Sequence, residues 1–315
     1  MRRFVFLLTL SLIGIAAAAP AAERPPAIVA PGVVVGDLPV GRLTSEQART
    51  RIRVLYGRGV RFTFGSRHWY APAAQLGAKV GVDDAVTVAL NAQPRAHVAM
   101  PVRIDLRKAR RYVAALDARF SYAAQDAHAY LVGTRPAISA ARSGLAVRRE
   151  QTVRSVASAL RTALRRQVTL ATRLVAPTVT AANFGPIIVI ERGSNQLALY
   201  QGTQLVRTFK VATGRAQYPT PLGSYSIVDK QRNPWWRPPS SDWAKGLQPI
   251  PPGPGNPLGT RWMGTSAPGV GIHGTPDAAS VGYSASHGCI RMYVPDAEWL
   301  FEHVNIGTPV FIVGA

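Results

Sequence analysis

One cysteine stands in 315 residues, Cys289. No second cysteine is present to complete a structural zinc set. Acidic residues are scarce as well: 16 Asp and Glu stand against 37 Lys and Arg, a formal charge of +21. That balance favours anionic partners, whether nucleic acid, anionic lipid or acidic wall polymers. No nucleic-acid-binding motif accompanies the arginines, so a wall or membrane surface fits the charge better than nucleic acid. Apart from the first twenty residues, no apolar run is long enough to span a bilayer. The hydrophobic fraction of 47% excludes wholesale disorder.

The single thiol lies in Ser286-His287-Gly288-Cys289-Ile290-Arg291-Met292, and His273 lies 16 positions before it in Gly271-Ile272-His273-Gly274-Thr275. A free thiol is only a few per cent thiolate at neutral pH and needs a base. A histidine takes the proton and returns it to a leaving amine. Gly288 lets the backbone turn sharply and aim N–H groups at an oxyanion. Arg291 is permanently charged and suits a carboxylate. Together these residues point to acyl transfer through a thioester. Two other readings stay open on the residues alone. A lone cysteine is commonly a small buried hydrophobe. His273, His287 and Cys289 supply three zinc ligands, although nothing nearby completes a structural set.

The pattern His-Gly-Thr, a gap, then Ser-His-Gly-Cys-Ile-Arg resembles the signature of the L,D-transpeptidases of bacterial cell walls. The resemblance runs from about Gly185 to Val313. It takes in Ala212-Thr213-Gly214, Tyr218-Pro219-Thr220-Pro221-Leu222-Gly223 and Asn256-Pro257-Leu258-Gly259-Thr260-Arg261-Trp262-Met263. It implies Cys289 as nucleophile and His273 as general base and acid, with the backbone carbonyl of Gly274 orienting His273. Asp277 is the alternative orienting partner. It implies an oxyanion hole from the backbone around His287, Gly288 and Cys289, and contacts to substrate from Arg291, Ser286, Tyr218 and Trp262. Ser286 and His287 are also expected to shape the turn. The implied substrates are peptidoglycan stem peptides, as donor and acceptor, and carbapenems acylate this family. No cofactor or metal is expected. Trimming of tetrapeptide stems by water, a non-catalytic wall-binding protein, and a general cysteine peptidase are the competing functions.

Along the chain, residues 1–18 read as a secretory signal peptide: Met1-Arg2-Arg3, a short apolar stretch, then Ala16-Ala17-Ala18 before the cut. No cysteine near the cut allows a lipoprotein anchor, and the mature protein is expected to have no membrane span. The expected location is the periplasm or cell wall. Residues 19–32 read as a linker, 33–168 as an α+β domain, 169–185 as a second linker, and 186–315 as a mostly-β catalytic domain. The start of the α+β domain, Val35-Gly36-Asp37-Leu38-Pro39-Val40-Gly41-Arg42-Leu43-Thr44, is similar to a peptidoglycan-binding domain that often precedes L,D-transpeptidase domains. His68, His97 and His128 stand isolated.

Helices are expected from Thr44 onward with a Thr44–Gln47 capping box, over 83–91, 106–120 and 151–167, and from Pro295 to Val304. A hairpin is expected around Gly65-Ser66 and a strand over 98–104. Strands are expected over 187–191, 196–201, 205–213, 223–229, 269–273 and 310–313. Between Lys230 and Met263 lies an aperiodic, proline-rich segment with Trp235, Trp236, Trp243 and Trp262, which reads as a lid over the site.

Overall fold

A computed structural model describes residues 27–164 and 166–315. The leader over residues 1–18 lies outside these residues. The chain divides into two compact units. Among the described residues, one comprises 27–118 together with 148–171, and the other comprises 119–147 together with 172–315.

The first unit is α+β. Helix α1 (Ser45–Gly57) opens on the expected capping box: Thr44 Oγ1 accepts Gln47 N–H at 3.3 Å and Gln47 Oε1 accepts Thr44 N–H at 3.0 Å. Its buried face of Ala48, Ile52 and Tyr56 packs with Val86 and Ala89 of α2 (Val82–Leu90). Two more helices are α3 (Leu106–Phe120) and α4 (Arg149–Leu160). The hairpin Val60–Phe64/Arg67–Ala71 forms as expected. The stretch read as one strand over 98–104 is two short strands, His97–Val98 and Val102–Ile104, because Pro101 between them cannot donate to a ladder.

Other expectations need correction. Helix α4 stops at Leu160 rather than near residue 167. The carboxylate of Asp37 accepts the N–H groups of Ala163 and Leu164, so they leave the helical ladder. Arg166 turns inward to donate to the carbonyls of Tyr56 and Arg58, and Gln167–Thr169 pairs as a parallel strand with Arg61–Thr63. The linker assignments also shrink. Val29 is fully buried in the core of the first unit, Leu170 is buried, and Thr172–Val175 pairs with Gly144–Val147. That pairing draws residues 119–147 into the second unit. There the hairpin Ala129–Val132/Arg135–Ile138 lays Ala129, Leu131 and Ile138 against Ile187, Val189 and Phe311.

The second unit is mostly β. Its eight-stranded sheet is built from β1 (Pro186–Glu191), β2 (Gln196–Gln201), β3 (Gln204–Lys210), β4 (Gly223–Arg232), β5 (Arg261–Thr265), β6 (Gly271–Gly274), β7 (Ile290–Met292) and β8 (Pro309–Val313), in the order β3-β2-β1-β8-β4-β5-β6-β7. Most neighbours are antiparallel, but β1–β8 and β6–β7 are parallel. Helix α5 (Val294–His303), with Pro295 in its first turn, packs Ala297, Leu300 and Phe301 against Met263, Ile272 and Met292. These apolar contacts supply the main free energy holding the β5–β6–β7 corner in place. Trp262, expected in the lid, lies on β5, because β5 pairs on both sides with β4 and β6. The aperiodic segment is thereby shortened to residues 233–260. Among the described residues no helix is long and apolar enough to cross a membrane.

Candidate active site

The parallel pairing of β6 with β7 places His273 in register with Arg291. The antiparallel pairing with β5 sets Trp262 beside His273 on the other side. The Trp262 indole stacks on the imidazole at 5.8 Å and also lies over Gly271, where a Cβ would come within 2.3 Å of the ring. Glycine at 271 is thus required by the close approach of the indole.

His273 is buried. Its Nδ1 lies 2.7 Å from the carbonyl oxygen of Gly274. A carbonyl only accepts, so Nδ1 carries the proton and Nε2 is left with its lone pair. Burial holds the imidazole down to about 4, reinforced by the charge of Arg291 and opposed by the Gly274 hydrogen bond. At neutral pH it is an unprotonated base. Asp277, the alternative partner, is directed elsewhere: its carboxylate lies 3.6 Å from Arg291.

Cys289 follows Gly288, whose φ of +113° is open only to glycine. The turn is closed from both sides. Ser286 Oγ donates to the Cys289 carbonyl at 2.6 Å and accepts the Gly288 N–H at 3.1 Å. Thr220 Oγ1 donates to the Gly288 carbonyl at 2.9 Å and accepts the Gly214 N–H at 2.8 Å. The Cys289 thiol is half-buried and donates weakly to the Gly269 carbonyl at 3.5 Å. Burial pushes it above the ordinary thiol value, while a hydrogen bond from the Gly271 backbone and the charge of Arg291 pull the other way. Both shifts favour the uncharged forms, thiol and imidazole.

Cys289, His273 and Arg291 line one cavity of about 1400 Å³, walled on one side by the 233–260 segment. Among the described residues that line it there is no carboxylate, while Arg232, Arg237 and Arg291 are present. Tyr218, Trp262, Ser286, His287 and Gly288 line it as well, whereas Gly274 and Asp277, the two orienting partners considered for His273, do not. Two assignments change in detail. The Ser286 hydroxyl is used inside the turn, which makes it a brace rather than a substrate contact. The Gly288 N–H is occupied by that brace, so an oxyanion pocket here falls to the N–H groups of His287 and Cys289. His68, His97 and His128 lie outside this cavity.

Three contacts at the site were not apparent from the sequence. Thr220 lies in the 218–223 turn, and nothing in the sequence signals its bond to Gly288. Arg215 places Nη2 2.6 Å from His287 Nε2, and its guanidinium lies over Tyr218 at 5.0 Å. Trp243, from the aperiodic segment, stacks on His287 at 4.0 Å. The sequence placed Trp243 among the tryptophans of the lid but gave no sign that it meets His287.

Comparison with known proteins adds an independent line. The family model for the YkuD L,D-transpeptidase catalytic domain matches residues 185–312. YqjB of Bacillus subtilis, which bears an L,D-transpeptidase name, is 35% identical over 132 residues, covering 40% of this chain and 70% of that protein. YkuD of the same organism, similarly named, is 33% identical over 125 residues, covering 40% of this chain and 64% of its own length. Among solved structures, L,D-transpeptidase 3 from Mycobacterium tuberculosis is 21% identical with a TM-score of 0.35, covering 45% of this chain and 68% of that one.

Proposed function

Since this chain belongs to the L,D-transpeptidase family, we propose that its second unit joins peptidoglycan stem peptides through a thioester on Cys289. The observation that carries the reading is the shared cavity. The only thiol of the chain and a neutral, oriented imidazole face one space that also holds the guanidinium of Arg291.

The chemistry follows from those groups. His273 Nε2 takes the proton of Cys289 as sulfur attacks the carbonyl of the L-centre at the third stem position. The Gly274 carbonyl keeps the ring in the tautomer that makes Nε2 the acceptor. Because the thiol is held above and the imidazole below their ordinary values, proton transfer is uphill in the resting site. The transfer becomes favourable only as negative charge passes from sulfur to the carbonyl oxygen, where the N–H groups of His287 and Cys289 receive it. The imidazolium then returns its proton to the departing D-alanine amine. The amine of a second stem attacks the thioester, His273 accepts its proton, and a third-position to third-position cross-link forms with the thiol regenerated. Arg291 offers its charge to a stem carboxylate.

Water in place of the second amine yields a trimmed stem, the competing carboxypeptidase outcome. A cavity of about 1400 Å³ is larger than one peptide needs and favours transfer, since donor and acceptor must share it. The test is incubation of the purified chain with disaccharide-tetrapeptide, followed by mass analysis. A thioester adduct and cross-linked dimers are expected from the native chain and neither from Cys289→Ala, which keeps its fold. Dimer formation by the Cys289→Ala variant refutes the reading.

A further inference from the structure

His287 is held from several directions. Arg215 donates to its Nε2 at 2.6 Å. A guanidinium only donates, so Nε2 is unprotonated and the ring is neutral. Tyr218 meets the ring at 5.1 Å, tilted, and Trp243 lies almost parallel on it at 4.0 Å. Burial and the charges of Arg215 and Arg291 all oppose protonation of this imidazole.

Trp243 belongs to the 233–260 flap, and His287 belongs to the turn that carries the thiol. The stack is thus a junction between the flap and the nucleophile's own turn. The flap behind it is braced. Trp236 and Ile250 exchange both backbone hydrogen bonds, at 3.0 and 2.9 Å. Buried Asn256 donates to the carbonyls of Pro234, Ile250 and Pro251. These bonds tie the segment together, and the Trp243 stack joins it to the turn that carries the thiol. A neutral, electron-rich ring partner suits an indole face, whereas an imidazolium beside Arg215 would set two cations together.

We propose that Trp243, His287 and Arg215 form a latch that holds the flap against the cavity of Cys289, with Trp243 and Arg215 acting as positioning residues. Arg215 keeps the imidazole neutral and fixed as a landing surface, and Trp243 docks on it. As a consequence that rests on the transpeptidase reading, the latched flap keeps water from the thioester, so its strength sets the ratio of cross-linking to trimming.

The latch is tested without any stem substrate, through the rate at which iodoacetamide alkylates Cys289 in the full chain. Trp243→Ala is expected to raise that rate about two- to tenfold, the span corresponding to loss of one aromatic pair. Trp243→Phe keeps a flat ring and is expected to stay near the native rate. Arg215→Ala is expected to raise the rate as well, although loss of a nearby positive charge by itself would slow a thiolate. Arg215→Lys, which keeps a donor and the charge, is expected to restore it. Rates unchanged or lowered in both alanine variants overturn the latch. Since Trp243 lies in a surface flap, its variants serve even where Arg215→Ala fails to fold. In stem assays, the variants with faster alkylation are expected to shift products from cross-links toward trimmed stems, and an unchanged ratio overturns the water-excluding consequence. A chain that proves inactive on stems leaves the alkylation result, and hence the latch, decidable.

Discussion

The hydroxyl of Ser286 donates to the carbonyl of Cys289 across 2.6 Å while accepting the N–H of the intervening Gly288. One buried oxygen thereby ties together both ends of the turn that presents the thiol. Thr220 holds the middle carbonyl of the same turn from a different part of the chain.

Ser286→Ala is expected to strand a buried carbonyl and a buried N–H. A cost of about 1–3 kcal/mol per unsatisfied group is typical. The variant should melt at lower temperature and form its thioester more slowly, because the carrier turn loosens. Unchanged thermal unfolding and acylation together would contradict the bracing role.

His273 links pH to stability. Its folded-state value of about 4 lies below the ordinary 6.5, so the unfolded chain binds the extra proton first as pH falls. This imidazole therefore leaves stability untouched above pH 6.5 and erodes it progressively down to about pH 4. The loss is about 3 kcal/mol at about 1.4 kcal/mol per pH unit. Thermal melts across that window are expected to fall more steeply for the native chain than for a His273→Gln variant. Parallel curves would show that the buried imidazole is not the group responsible. In stem assays, His273→Ala should slow thioester formation by a factor of roughly 10²–10⁴.

Arg291 lies between two tasks, since its guanidinium faces the cavity and also approaches Asp277 at 3.6 Å. The ion pair is solvent-exposed on the Asp277 side, and such pairs contribute little to stability. Arg291→Ala is therefore expected to leave the melting temperature nearly unchanged. It should raise KM for donors with a free carboxylate more than for amidated donors. Equal losses on both donors would assign Arg291 to the framework instead.

The legibility of this fold from sequence varies with the range of the interactions. The Thr44–Gln47 capping box is complete within four residues, and it formed as read. The hairpin at Gly65-Ser66 and strands β1 and β2 are equally local, set by turn chemistry and a short apolar run. The end of α4 was misread because what stops it is Asp37, more than a hundred residues away, accepting the N–H groups of Ala163 and Leu164. Residues 119–147 were placed with the first domain by position along the chain, but backbone pairing with 172–175 groups them with the second unit.

By itself, the sequence determined the chemical inventory: one thiol, a histidine followed by a glycine carbonyl, a glycine-dependent turn and an arginine two residues on. These lie within short segments whose meaning is local. Only the tertiary structure decided which of them meet. Parallel pairing of β6 with β7 brings His273 level with Arg291, Thr220 reaches the turn from another loop, and Arg215 and Trp243 converge on His287. The physical reason is that strand register and flap docking are fixed by packing summed over the whole unit, and no spacing along the chain encodes that sum.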